Sequence, residues 1–220
     1  MNVFKNRNNL KTLALAILIC AIVLILILPT QLDIFILLAA YVLLMIVGFN
    51  LYQLNKQVMS KVKTLDGEGK FNEVIETLDF AKTIGYDGFV MDSYRIYANY
   101  MLGDFLSYRK VAFHMAKTRQ WRRPKFSNIR KKIETNLSLI DLIESYGQNH
   151  PFFSGQDVLF IQAVEAYKQN NKDEILQMIN AYPKLSPLKQ FCLWMLLDNE
   201  KEMRKIFPNG EVWKILNREG

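Results

Sequence analysis

Apolar residues run without a formal charge from Thr12 to Leu32, and again from Ile34 to Asn55, with Asp33 alone between the two runs. The first includes Leu13 to Ile19 and Ile22 to Leu28, and the second is most apolar from Ile34 to Leu51. A helix rises about 1.5 Å per residue, so roughly 20 residues cross a hydrocarbon core of about 30 Å. Backbone polar groups in lipid must pair within their own segment, which predicts helices for both runs. Pro29-Thr30-Gln31-Leu32-Asp33 interrupts them, and proline ends the first span by removing a donor and restricting the residue before it. So short a link turns the second span antiparallel to the first. The pattern predicts a two-span transmembrane hairpin over 1–55, with spans at 12–32 and 34–54.

Basic residues orient that hairpin. Lys5, Arg7 and Lys11 precede the first span, Lys56, Lys61 and Lys63 follow the second, and the link carries neither Lys nor Arg. The positive-inside rule then leaves both termini in the cytosol. A cleaved signal peptide shares the basic start and apolar run, but the first run is long and no small-x-small site lies near Pro29. Lys-, Asn- and Ile-rich usage points to a bacterial plasma membrane. Ala40 and Gly48 are small enough to let the two helices approach closely, or are simply lipid-compatible filler. Neither span holds a basic residue, Glu or His at membrane depth, which argues against a transport path through the hairpin.

After residue 55 the period changes to three and four. Leu51, Leu54, Val58, Val62 and Leu65 form one face, so the second span is expected to continue into the cytosol until Asp66-Gly67-Glu68-Gly69. Phe71, Val74, Ile75, Leu78, Ala81 and Ile84 form the next face. Val90, Tyr94, Tyr97, Ala98 and Met101 form another, and Phe105, Tyr108, Val111, Ala112 and Met115 a fourth. A longer helix is predicted over 127–146 through Ile129, Ile133, Leu137, Ile140 and Ile143, then shorter ones over 157–169, 173–182, 187–197, 200–207 and 211–217. No stretch alternates as a strand does. The expected fold is all-α, with residues 56–220 a cytosolic helical domain large enough to bury its own core.

A repeat emerges within it. Gly69-Lys70-Phe71 and Gly103-Asp104-Phe105 lie 34 residues apart, each between two helices, and Asn171-Lys172-Asp173 lies 68 residues further on. Around Gly69, Val58, Val62 and Leu65 precede the turn and Val74, Leu78 and Ala81 follow it. Phe160, Val164, Tyr167 and Leu176 flank Asn171, and Leu188, Cys192 and Met195 precede Asn199. This arrangement resembles the tetratricopeptide repeat over residues 58–217, in a degenerate form. Departures are Asp92 and Asn99 at apolar positions, a continuous helix around residue 137, Asn180 in the third unit, and a last helix cut short at Pro208. A generic antiparallel bundle is the competing architecture. The resemblance implies an α-solenoid-like stack offering a groove to a protein partner. Tyr94, Tyr97, Tyr100 and Tyr108 are candidates to line that groove, or else half-buried core aromatics.

Candidate chemistry is sparse. His114 and His150 are the two histidines and fall in different segments; Cys20 and Cys192 sit in apolar surroundings. No phosphate-cradling glycine loop, zinc motif or nucleophile elbow is present. No enzyme, cofactor or metal centre is expected. Charge changes the picture in one place: between Asp104 and Glu134 stand ten basic residues and no acidic one. These are Arg109, Lys110, Lys117, Arg119, Arg122, Arg123, Lys125, Arg130, Lys131 and Lys132, with Trp121 among them. Residues 56–132 carry 16 basic against eight acidic side chains, whereas 133–220 carry nine against twelve. Charge runs are commonly just solvated. Near a leaflet bearing negative lipid, however, each Lys or Arg contributes about 1 kcal/mol of attraction, so an anionic surface is the candidate ligand. Nucleic acid ranks lowest, since no recognition motif accompanies the charge. The expected function is a membrane-anchored adaptor or scaffold for a protein partner; the alternatives are a lipid-surface protein using 109–132 and a non-catalytic subunit of a larger membrane complex.

Overall fold

A computed structural model describes residues 7–27, 33–210 and 212–216. Lys5, Leu28 of the first apolar run and residues 29–32 of the predicted 29–33 link lie outside the described residues. Every regular element among those described is helical. By packing the chain divides into two units, Met1–Tyr94 and Arg95–Gly220. The compositional boundary near residue 55 falls inside a continuous helix instead, because a change of solvent does not require a break in the backbone.

The first unit begins with α1 (Arg7–Ile27) and α2 (Asp33–Gly67), which pack on each other. Five residues join them and reach at most about 18 Å, while α1 is about 31 Å long. Packing along their lengths therefore requires an antiparallel pair. Among the described residues, Leu10 and Ala21 of α1 and Val47 in the apolar stretch of α2 are buried. Gly48 faces open space and is not the point of close approach. Most other apolar side chains point outward, among them Leu15, Ile19 and Ile22 of α1 and Phe35, Leu38, Met45 and Phe49 of α2. An apolar belt of this extent is far beyond what a water-facing surface carries. Among the described residues one helix, α2, is long and apolar enough to cross a membrane; the described apolar stretch of α1, Asn9–Leu24, is shorter.

Beyond the apolar stretch α2 runs on, about 52 Å in all. Val58, Val62 and Leu65 are buried as their spacing predicts, and α3 (Phe71–Thr83) packs beside them through Val74, Leu78 and Ala81. The buried Tyr86 donates its hydroxyl proton to the Leu51 carbonyl at 2.7 Å.

Helix α4 (Phe89–Leu102) contains the division between the units and corrects the expected face. Val90 and Tyr97 are exposed, whereas Phe89, Asp92, Ile96 and Asn99 are buried. Choosing the face by residue type alone favours Val90; the spacing of three and four that is actually buried includes two polar residues.

The second unit continues with α5 (Phe105–Ala116), α6 (Ser127–Gly147), α7 (Val158–Lys168), α8 (Lys172–Ala181), α9 (Pro187–Leu196), α10 (Glu200–Ile206) and α11 (Val212–Ile215). Helices α6 and α9 pack together at its centre; Ile133, Leu139, Ile140, Leu142 and Ile143 of α6 are buried, as are Leu188, Phe191, Cys192, Leu193, Met195 and Leu196 of α9. Burial alone raises the Cys192 thiol far above its ordinary value, leaving it an inert core residue.

Among the described residues, six tight turns share one left-handed geometry; a loop follows those at Gly85 and Asn149, whereas the other four open directly into the next helix. Gly69, Gly103, Asn170 and Asp198 adopt φ of 71°, 68°, 56° and 58°. In each, the next N–H reaches back to a carbonyl near the helix end: Lys70 to Leu65, Asp104 to Asn99, Asn171 to Ala166 and Asn199 to Trp194. This is the left-handed C-terminal cap that glycine favours and that Asn and Asp tolerate. The following residue then opens the next helix; the side chains of Asp104, Asn171 and Asn199 accept from the N–H groups of Ser107, Glu174 and Glu202. Aligned on the left-handed residue, Val74, Tyr108, Ile175 and Met203 occupy the same offset and all are buried. The equivalent of Gly69 is thus Asn170 rather than Asn171, and Asp198 rather than Asn199. That one-residue shift explains why Ile175 is buried and Leu176 exposed, against the sequence alignment.

Candidate anionic-surface interface

The basic segment is built by two interruptions of helix. At the end of α5, Thr118 donates its hydroxyl to the Met115 carbonyl at 2.7 Å and accepts from the Trp121 N–H at 3.4 Å, opening a 3₁₀ turn over Arg119–Arg122. Arg123 is extended, as a residue before proline must be, and Pro124 starts a second 3₁₀ turn, Pro124–Phe126. Helix α6 follows at once. Arg130, in its first turns, donates to the Trp121 carbonyl at 3.0 Å and fastens the link to the helix. The Lys125 ammonium sits 5.0 Å from the centre of the Phe126 ring.

Ten basic residues are therefore sorted by the fold. Arg109 is held between Asp141 at 2.6 Å and Glu144 at 2.9 Å, which stand three residues apart on α6. Its charge is matched and it ties α5 to α6, so it is removed from the candidate anionic-surface set. Lys110, Lys117, Arg119, Arg122, Arg123, Lys125, Lys131 and Lys132 are exposed, while Trp121 and Arg130 are half-buried. Among the described residues none of those eight exposed cations makes an ion pair. Between α6 and the segment leading into α9 an open cleft of about 320 Å³ is lined by Lys132, Lys184 and Lys189 with Thr135 and Ser186, although Lys189 is matched by Asp157.

The tyrosines separate differently. Tyr97 is exposed and Tyr94 half-buried, but Tyr100 and Tyr108 are core residues at 5% and 1% exposure. Tyr100 accepts from the Leu188 N–H at 3.1 Å, and Tyr108 accepts from the Asn136 amide at 3.1 Å. The expected groove lining is corrected for these two: each side chain is enclosed with its hydroxyl partnered inside the second unit. Burial pushes both hydroxyls above the ordinary tyrosine value, outweighing the hydrogen bonds that act the other way. The neutral form is thus favoured in the fold. Stability from this source is whole below about pH 10, the unfolded value, and falls as pH rises beyond it. Tyr108→Phe leaves the Asn136 amide without its partner and is expected to cost about 1–3 kcal/mol at neutral pH. It should also reduce the alkaline loss. Urea midpoints of both proteins at about pH 8 and about pH 11 check the two signs.

Two exposed residues of α5 carried no weight in the sequence pattern, Leu106 and Phe113, at 56% and 57% exposure. Their spacing of seven, with Lys110 and Lys117 at the same pitch, was the available signal. Among the described residues, no group of three His, Cys, Asp or Glu is placed to hold a metal, and His114 and His150 are both exposed. No protein-family model, no curated protein and no solved structure matches this chain.

Proposed function

We propose that the protein is a membrane-anchored adaptor, in which a two-span hairpin with both ends in the cytosol of a bacterial cell holds a tetratricopeptide-like helical domain for a protein partner. The observation that carries this is the continuity of α2, one 35-residue helix that is lipid-compatible in its first half and packed against α3 in its second. A helix pinned at Leu51 by the Tyr86 hydroxyl transmits position from the bilayer into the first unit more firmly than a flexible linker does. The outward apolar surface of α1, antiparallel to α2, supports a second span. The recurring turn frame supports the repeat, since identical offsets from Gly69, Gly103, Asn170 and Asp198 bury equivalent residues.

With Tyr100 and Tyr108 inside the core, the adaptor surface is drawn on exposed positions, of which Tyr97 is one. Full-length protein is expected to stay in the membrane pellet after alkaline carbonate washing and to co-purify in mild detergent with a stoichiometric partner. Release by carbonate would remove the anchor, and purification alone would remove the adaptor. Exchanging residues 1–55 for an unrelated hairpin should leave the partner bound; its loss would favour a subunit that packs through its spans. The exposed basic link, whose cations make no ion pair among the described residues, favours a second reading, contact with an anionic surface.

A further inference from the structure

We infer that the outer face of α5 and the 3₁₀ link behind it form a docking surface for anionic lipid headgroups. At 100° per residue, Leu106, Lys110, Phe113 and Lys117 fall within an arc of about 60°. Phe105, Tyr108, Ala112 and Met115 lie on the opposite side and are buried, so that arc is the outward stripe of the helix. Two exposed apolar side chains alternate there with two cations. Continuing from Lys117, the link adds Arg119, Arg122, Arg123 and Lys125 around a half-buried Trp121. Apolar anchors, basic residues and a tryptophan together are the composition of a surface that lies in the headgroup layer.

Charge complementarity selects the occupant. Negative headgroups match cations that have no acidic partner among the described residues, and acyl chains just below them accept Leu106 and Phe113. A nucleic-acid backbone would engage the cations but leave both apolar residues in water. The inference rests on the membrane anchor proposed above, which keeps the leaflet within constant reach of the chain and raises its effective concentration.

Full-length protein is reconstituted in vesicles of phosphatidylcholine, with or without about a third phosphatidylglycerol, all with brominated acyl chains, and tryptophan fluorescence is recorded. Quenching should rise about twofold in the anionic vesicles, a bounded rise because several cations at about 1 kcal/mol each carry docking to saturation, and should fall back in about 0.5 M salt. Trp121→Phe should remove the difference, because Trp213 is buried and the half-buried Trp194 lines a separate cleft with Ile179, Tyr182 and Pro183 that contains no residue of the link. Charge reversal (Arg119→Glu, Arg122→Glu, Arg123→Glu and Lys125→Glu together) should abolish it, and Leu106→Ser with Phe113→Ser should diminish it. These side chains are exposed or lie on the link, so helicity should be unchanged. Equal quenching in both lipids overturns the docking surface, and retention of RNA with that equality reassigns it to nucleic acid. Failure to float with either vesicle overturns the anchor instead.

Discussion

Replacing Phe207 by alanine is expected to destabilise the second unit by about 3–5 kcal/mol, the cost of emptying a core site that neighbours cannot refill. The side chain is 3% exposed, and its ring lies 5.6 Å from Phe105, 6.3 Å from Tyr100 and 5.5 Å from Phe191, all edge-on. Such contacts add to the plain burial of area. Its carbonyl accepts from the Trp213 indole at 2.8 Å, and Trp213 in turn meets Phe191 edge-on and lies under Arg204. Phe207 thereby joins α4, α5, α9 and α11. Chemical denaturation followed by circular dichroism measures the loss, with Phe113→Ala as the exposed control expected within about 0.5 kcal/mol. A loss at Phe207 no larger than at Phe113 would contradict the aromatic core described.

Gly210→Ala should cost about 2–5 kcal/mol, through two mechanisms that combine. Gly210 has φ of 141°, a conformation L side chains rarely adopt, and a Cβ there would lie 2.7 Å from the Leu102 carbonyl oxygen. Backbone must move, and the segment that carries Trp213 moves with it. Gly69→Ala is the informative comparison. It shares a positive φ, 71°, but nothing lies within 4 Å of its added Cβ. Only the left-handed strain remains, about 1–2 kcal/mol. If the two variants unfold at the same denaturant concentration, close approach to Leu102 is not what requires glycine at 210.

Helix positions were legible because they depend on local information. The predicted 127–146 and 187–197 segments match α6 and α9 to within a residue at each end. Turn residues were legible for the same reason, since Gly69 and Gly103 signal the left-handed cap directly. Asn170 and Asp198 do so less sharply, because Asn and Asp also serve as N-caps, and the alignment slipped by one residue onto Asn171 and Asn199. The candidate interface was half legible. A run of ten cations without an acid is visible in one dimension, but the acids that neutralise Arg109 are Asp141 and Glu144, brought from 32 and 35 residues away.

By itself, then, the chain determined its helical class, the apolar character of its first two helices and the places where helices end, because periodicity, charge and backbone preference act over a few residues. Only the tertiary structure decided that Tyr100 turns inward, that Phe89 and Ile96 rather than Val90 and Tyr97 lie on the buried face of α4, that Arg109 is matched, and that Leu106 and Phe113 stay outside. Those outcomes depend on which face of a helix meets a neighbour. That choice is made by the packing of several helices at once, and no single segment contains it.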